Sequence, residues 1–129
     1  MTKIPFSTAL QGARILIVED ESILAMDLEN RLKGEGCDVI GLVSREAKAL
    51  KLVEGDRPDA VVLDLNLNGK LPTDLVDALV ARQIPFVIVT GYGKRQFDSP
   101  ALQGAPRLDK PIKTEALVRA LSDLLRVAN

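Results

Sequence analysis

The chain has 129 residues, 47% of them hydrophobic, and a formal net charge of −1. It is therefore long enough for one domain with its own core, and it lacks the basic excess typical of nucleic-acid-binding proteins. It has no histidine and a single cysteine, Cys37, which excludes histidine metal ligands, a phosphohistidine on this chain and an internal disulfide.

The chain alternates apolar, β-rich runs with segments of helical periodicity. Strands are predicted over five ranges: 14–20, 37–43, 60–65, 84–91 and a short stretch within 106–111. A helix is predicted after each strand, with Ser44 and Thr73 as the N-caps of the second and third helices. The helix after the fourth strand is expected to be short, and the last helix should run from Thr114 to about Val127. Residues 1–12 are predicted to be an N-terminal extension and residues 13–129 to form the domain.

Continuous apolar strands separated by helices indicate a parallel sheet that is covered on both faces. With right-handed crossovers, this pattern predicts a doubly wound α/β domain. Ligands of such domains bind beyond the carboxyl ends of the strands. The residues at those ends are therefore the candidates for function.

Four of the predicted strands end in polar residues. These are Glu19 and Asp20 after the first strand, Asp64 and Asn66 after the third, Thr90 after the fourth, where Gly91 follows it, and Lys110 after the fifth. Singly, each has a more common structural role, as a turn former, a helix-terminal acid, a strand residue or a loop residue. Together at one sheet edge, they favour a functional site.

Clustered carboxylates repel one another, and a hard divalent cation such as Mg²⁺ removes that repulsion. Asp20 and Asp64 can supply carboxylate oxygens to Mg²⁺. The residue two past Asp64 can supply its backbone carbonyl. Glu19 is better placed to contact a water molecule that is bound to the metal. Asp64 is the candidate nucleophile toward a phosphoryl group. Lys110 and Thr90 can then neutralise phosphoryl oxygens.

The segments "ILIVEDE", "VVLDLNLNG", "VTG" and "LDKP" occur in this order, and the chain thereby resembles the response-regulator receiver domains of two-component signalling. The resemblance covers about residues 13–128. It implies a flavodoxin-like, five-stranded parallel sheet of order 2-1-3-4-5 with helices on both faces. It also implies that the phosphohistidine of a sensor histidine kinase phosphorylates Asp64. Glu19, Asp20 and the backbone carbonyl of Asn66 would then serve the Mg²⁺ site, Thr90 would be the switch hydroxyl and Lys110 the phosphate-binding lysine.

The chain departs from the common receiver pattern near its fifth strand. Arg107 occupies the position where receivers usually carry an aromatic residue. The fourth strand resembles a receiver subgroup that reads Phe-Ala-Thr-Gly followed by Gly or Tyr, with Ile88 and Val89 in the first two places. That subgroup also lacks the fifth-strand aromatic, and Gly91 and Tyr92 become switch candidates. Tyr92 is equally well interpreted as a partly exposed loop residue.

From these features we predict a stand-alone response regulator of a phosphorelay, located in the cytoplasm, with no nucleic-acid or membrane partner. The chain ends soon after the last predicted helix, so no output domain is expected. Its partners would be a sensor histidine kinase and either a histidine phosphotransfer protein or a downstream target. It would catalyse only its own phosphoryl acceptance and loss, and would not be an enzyme in the usual sense.

Three alternatives to a phosphate-accepting receiver remain. An aspartyl-phosphate phosphatase would carry Asp-x-Asp on its first strand, whereas Asp64 lies on the third strand and is followed by Asn66. A flavodoxin-like cofactor binder would need a phosphate-cradling loop where this chain has "EDES". A degenerate receiver that never accepts phosphate is disfavoured by the complete set of acids, threonine and lysine.

Overall fold

The computed structural model describes residues 9–91 and 99–128. Five strands and five helices alternate through these ranges. The strands β1 to β5 are Arg14–Val18, Asp38–Val43, Ala60–Asp64, Phe86–Thr90 and Arg107–Asp109. The helices α1 to α5 are Ser22–Gly34, Glu46–Gly55, Thr73–Ala81, Pro100–Gly104 and Thr114–Ala128.

The strands form one parallel sheet in the order β2-β1-β3-β4-β5. The order reverses after β2, since the chain crosses from one edge of the sheet to β3 on the other side of β1. The predicted flavodoxin-like fold, with strand order 2-1-3-4-5, is therefore confirmed. The switch point lies between β1 and β3, at the sheet edge where the polar residues were predicted to gather.

The core has two halves because successive strand side chains point to opposite faces of the sheet. Ile15 and Ile17 of β1 belong to the half that includes α1 and α5, which contribute Leu28, Leu32, Leu117 and Leu121. Leu16 and Val18 belong to the half that includes α2 and α3, which contribute Ala49, Val53, Leu75 and Leu79. Burial on both faces explains why β3 and β4 contain no exposed residue.

The helix termini differ from the sequence prediction. The N-cap residues of α2 and α3 are Arg45 and Pro72, and neither makes a side-chain capping hydrogen bond. Ser44 and Thr73 were therefore wrongly predicted as caps. At α3, the carboxylate of Glu46 instead accepts a hydrogen bond from the backbone N–H of Leu75 at 2.9 Å. A side chain from the neighbouring helix thus satisfies one of the N–H groups that a local cap would bind.

The described end of the predicted N-terminal extension contacts the domain. Ala9 and Leu10 form a short 3₁₀ turn, and Leu10 is fully buried in the core half that includes α1 and α5. None of the helices in the described part of the chain combines the length and hydropathy needed to cross a membrane.

The sheet register fixes the neighbours at the carboxyl edge. Leu63 of β3 pairs with Val18 of β1, so Asp64 follows directly beside Glu19. On the other side, Asp64 pairs with Val89 of β4. The ends of β1, β3 and β4 therefore lie within two residues of one another along the sheet, and their polar residues share one edge.

Candidate functional site

Asp64 is the last residue of β3, and its side chain is only 3% exposed. Its Oδ1 accepts a hydrogen bond from the backbone N–H of Asn66 at 3.0 Å. Its Oδ2 lies 3.5 Å from Nζ of Lys110. One hydrogen bond orients the carboxylate and one ion pair offsets its charge, so the group is held in place at the sheet edge.

Glu19 follows β1 and is the most deeply buried acid of the edge, with a side chain that is 1% exposed. Its Oε2 accepts the backbone N–H of Glu21 at 3.0 Å. Its Oε1 lies 3.2 Å from Lys110 Nζ but makes no hydrogen bond with the described residues. Burial raises the pKa of Glu19 to about 7, and the neighbouring Asp64 adds to this effect.

Lys110 brings one ammonium group to several carboxylates. Its Nζ contacts Glu19 and Asp64 and lies 3.8 Å from Oε1 of Glu21. Burial alone would lower the pKa of Lys110, but Asp64 and Glu19 raise it above its ordinary value. The lysine therefore stays charged at neutral pH. Its backbone N–H bonds to the carbonyl of Thr90 at 2.9 Å, which fixes where the side chain starts.

Asp20 is more exposed than Glu19 and is bound by a loop from another part of the chain. Its Oδ2 accepts the backbone N–H of Asn68 at 3.0 Å. Burial alone would raise the pKa of Asp20, but the Asn68 N–H and the Glu19 side chain hold it below its ordinary value. Asp20 is therefore ionised under most conditions.

Asn68 is a site residue that sequence reasoning missed. It was assigned only to a polar loop, although Asn-Gly between apolar residues is a strong signal for a two-residue turn. The turn is present: Leu67 and Lys70 pair in antiparallel fashion across Asn68 and Gly69. What the dipeptide could not reveal is that the turn lies against Asp20.

The acid cluster fits a divalent cation. One carboxylate oxygen from each of Glu19, Asp20 and Asp64 lies within 4.8 Å of the others. Lys110 balances only part of this negative charge, and Glu19 Oε1 still lacks a hydrogen bond within the described chain. A hard cation with oxygen ligands would satisfy both the charge and the buried oxygen. The three acids are thus chemically suited to Mg²⁺.

Thr90 ends β4 and is fully buried, and Gly91 follows it at the surface. A β-carbon at Gly91 would lie 3.9 Å from Cδ of Lys110, an ordinary contact distance. Packing against the described residues therefore does not require glycine there. Tyr92, the other switch candidate, lies outside the described residues.

Arg107 occupies the strand position that is usually aromatic in receivers. It is the first residue of β5, and its Nε lies 3.7 Å from Oδ1 of Asp109. Its side chain is only partly exposed. Arg107 thus places a charged guanidinium group on β5. An aromatic residue at this position would place an apolar ring there.

Comparison with known families gives one match that covers most of the chain. The family model described as "Response regulator receiver domain" matches residues 15–122. This range includes all but the first residue of β1 and most of α5, and with them every residue of the acid cluster and Lys110. The match therefore extends over all five strands and the sheet edge that carries the acid cluster.

Curated relatives match most of this chain over about half of their own length. Phyllosphere-induced regulator PhyR of Methylorubrum extorquens is 32% identical over 117 residues, which is 88% of this chain and 44% of the relative. Transcriptional regulatory protein PdtaR of Mycobacterium tuberculosis is 29% identical over 111 residues, covering 84% of this chain and 54% of that protein. The chain thus spans about half the length of these curated relatives.

A solved structure of similar length is SdrG from Sphingomonas melonis Fr1. It is 42% identical to this chain with a TM-score of 0.76, and the match covers 91% of this chain and 98% of SdrG.

Proposed function

Because this chain belongs to the response regulator receiver domain family, we propose that it accepts a phosphoryl group on Asp64 from the phosphohistidine of a sensor histidine kinase. The reaction would depend on Mg²⁺. The phosphorylated protein would then change its binding to a downstream target, or pass the phosphate to a histidine phosphotransfer protein or to water. The observation that carries the proposal is the buried Asp64 carboxylate, oriented by Asn66 and paired with Lys110 beside two further acids.

The chemistry is a displacement at phosphorus. An oxygen of Asp64 attacks the phosphorus atom, a P–O bond forms, and the P–N bond to the donor imidazole breaks. The donor histidine must lie outside this chain, because the chain itself has no histidine. This requirement fits a sensor kinase or a phosphotransfer protein as the partner.

Each neighbour of Asp64 has a proposed role. Glu19, Asp20, Asp64 and the backbone carbonyl of Asn66 would hold Mg²⁺, which would neutralise phosphoryl oxygens and shield the acids from one another. The Lys110 ammonium lies 3.5 Å from Asp64 and would pair with a phosphoryl oxygen once the aspartate is esterified. The Thr90 hydroxyl at the end of β4 would donate to a third oxygen.

The proposed output is a switch in the segment after β4. Phosphorylation adds roughly one to two negative charges and strong acceptor oxygens. Thr90 would move toward these oxygens, and residues 91–105 would rearrange with it. Gly91 and Tyr92 are the candidate switch residues, and residues 92–98 lie outside the described chain. We place this signalling in the cytoplasm, without turnover of an external substrate.

The test of the phosphoacceptor is intact mass after incubation with acetyl phosphate and Mg²⁺. Wild type should gain one phosphoryl group, and the gain should disappear in Asp64→Asn and after chelation of Mg²⁺. Asp77→Asn is the matched control because Asp77 is an exposed aspartate on α3. An adduct that persists in Asp64→Asn, or that forms equally in chelator, would contradict the proposal.

A second assay separates the switch from the phosphatase alternative. Sustained hydrolysis of an added phosphomonoester would indicate an enzyme, whereas a single modification per chain indicates a switch. Amide spectra before and after phosphorylation then test the output. Unchanged signals for residues 91–105 would refute the proposed rearrangement.

A further inference from the structure

Two loops meet at Asn68, which lies in the connection between β3 and α3. Its side-chain Nδ2 donates to the backbone carbonyl of Ser44 at 2.8 Å, in the connection between β2 and α2. Its backbone N–H donates to Oδ2 of Asp20 at 3.0 Å. One residue thus links a candidate metal ligand on one side to a separate loop on the other.

The local backbone explains why Asn68 can make both contacts. Asn68 and Gly69 have φ angles of +55° and +82°, the left-handed values required at the centre of a type I′ turn. Leu67 and Lys70 close the turn with two backbone hydrogen bonds of 2.9 and 3.1 Å. Leu67 is buried, so one end of the turn is anchored in the core. The tip of the turn is exposed and is held by the bond from Asn68 to Ser44.

We propose that Asn68 is a positioning residue for the metal site: its side chain anchors the turn on Ser44 so that its backbone N–H holds the Asp20 carboxylate in the ligating position. This inference rests on the proposed Mg²⁺ site. A carboxylate whose orientation is already fixed loses less freedom on binding a cation. Hydrogen bonds to ligating carboxylates accordingly contribute to metal affinity.

A simpler role for Asn68 is to supply a residue that tolerates positive φ. The variant Asn68→Gly separates the two roles, because glycine adopts this conformation freely and keeps the backbone N–H but cannot reach Ser44. If Asn68 only forms the turn, Asn68→Gly should bind Mg²⁺ as wild type does. If it positions Asp20, the variant should bind Mg²⁺ more weakly.

Gln83 provides a matched control. It is an exposed residue with a φ angle of +56°, and it precedes β4 at the opposite edge of the sheet. Gln83→Gly therefore makes the same kind of backbone change away from the acid cluster. Any effect of glycine on general stability should appear in both variants, whereas an effect on the metal site should appear only in Asn68→Gly.

The experiment is a titration of each protein with Mg²⁺, followed by the amide signals of residues 19–21 without a phosphodonor. We expect the dissociation constant of Asn68→Gly to rise about three- to tenfold, since the hydrogen bond that anchors the turn on Ser44 is lost. Gln83→Gly should match wild type. Equal affinities of Asn68→Gly and wild type, or an equal shift in both glycine variants, would overturn the inference.

Phosphorylation by acetyl phosphate gives a second readout. The Mg²⁺ concentration for half-maximal rate should rise by the same factor in Asn68→Gly, while the rate at saturating Mg²⁺ stays within about twofold of wild type. A lower saturating rate with unchanged Mg²⁺ dependence would overturn the positioning role. Failure of wild type to bind Mg²⁺ would remove the proposed metal site and this inference with it. Binding of Mg²⁺ without an adduct would count against the proposed function alone.

Discussion

Glu19 carries an electrostatic cost that its neighbours only partly offset. It is buried beside Asp64, with Asp20 and Glu21 nearby, and Lys110 is the cation that contacts it. Its pKa is raised from 4.5 to about 7 by burial first and by Asp64 next. When the pKa of an acid rises on folding, the folded state binds more protons than the unfolded state at pH values between the two pKa values.

Without metal, the contribution of Glu19 to the free energy of unfolding is fully present below about pH 4.5 and is lost as the pH rises through about 7. Glu19→Gln keeps the shape of the side chain but removes this titration. In chelator at about pH 8, we expect the variant to be more stable than wild type by about 1–3 kcal/mol.

Urea unfolding at a series of pH values in chelator measures this difference. The gap between wild type and Glu19→Gln should widen from acidic to alkaline pH. Glu54→Gln is the control, since Glu54 is exposed on α2. A gap that stays constant with pH would show that Glu19 does not titrate in this window.

Cys37 should react slowly in the folded protein. It is buried just before β2, and burial, aided by Glu35, raises its thiol pKa from 9.0 to about 11. A shift of this size lowers the thiolate fraction near pH 8 by about a hundredfold, and the thiolate is the reactive form. Iodoacetamide should therefore alkylate the native protein far more slowly than the protein in urea. Equal rates in both conditions would contradict the buried placement of Cys37.

At the scale of single elements, strands were predicted better than helix termini. An apolar run that ends in a polar residue identified β1, β3 and β4 because burial on both faces leaves a continuous signal. The caps at Ser44 and Thr73 were wrong because capping rules consider only adjacent residues. The acceptor that α3 uses is Glu46, 29 residues away from Leu75. A contact of that range depends on how α2 and α3 pack and has no local sequence signal.

The bond from Leu75 to Glu46 predicts a stability effect on α3. Glu46→Ala leaves an N-terminal backbone N–H of the helix without its acceptor, so we expect a loss of about 0.5–2 kcal/mol in the free energy of unfolding. Glu54→Ala on the same helix should cost less, since its side chain is exposed. Thermal unfolding of both variants measures the difference. Equal destabilisation would mean that the bond does not stabilise α3.

At the scale of the whole molecule, the sheet topology brings the candidate site together from four segments that are distant in sequence. The alternation of strands and helices was sufficient to predict the sheet and the edge at which Glu19, Asp64, Thr90 and Lys110 lie. The distances among them depend on the register of β1, β3 and β4, which composition does not specify. The same limit applies to the turn at Asn68: its conformation has a local signal, but its contact with Asp20 depends on the completed fold.

Because folding brings the three acids of the cluster together, we also predict that Mg²⁺ stabilises the folded protein. The three acids converge only in the folded chain, so Mg²⁺ should bind the folded state in preference to the unfolded state. At one hundred times its dissociation constant, a ligand of this kind adds about 2.7 kcal/mol to the free energy of unfolding. For a domain of this size, that corresponds to a rise of roughly 10 °C in the melting temperature.

Thermal unfolding with and without Mg²⁺ measures this linkage, with NaCl at matched ionic strength as the control for screening. Asp20→Asn should lose most of the rise because it removes one of the clustered carboxylates and with it part of the charge that attracts the cation. Asp77→Asn should keep the full rise, since Asp77 is exposed on α3. The same rise in Asp20→Asn as in wild type would show that Mg²⁺ stabilises the protein elsewhere. A rise reproduced by NaCl would show that screening alone relieves the repulsion among the acids.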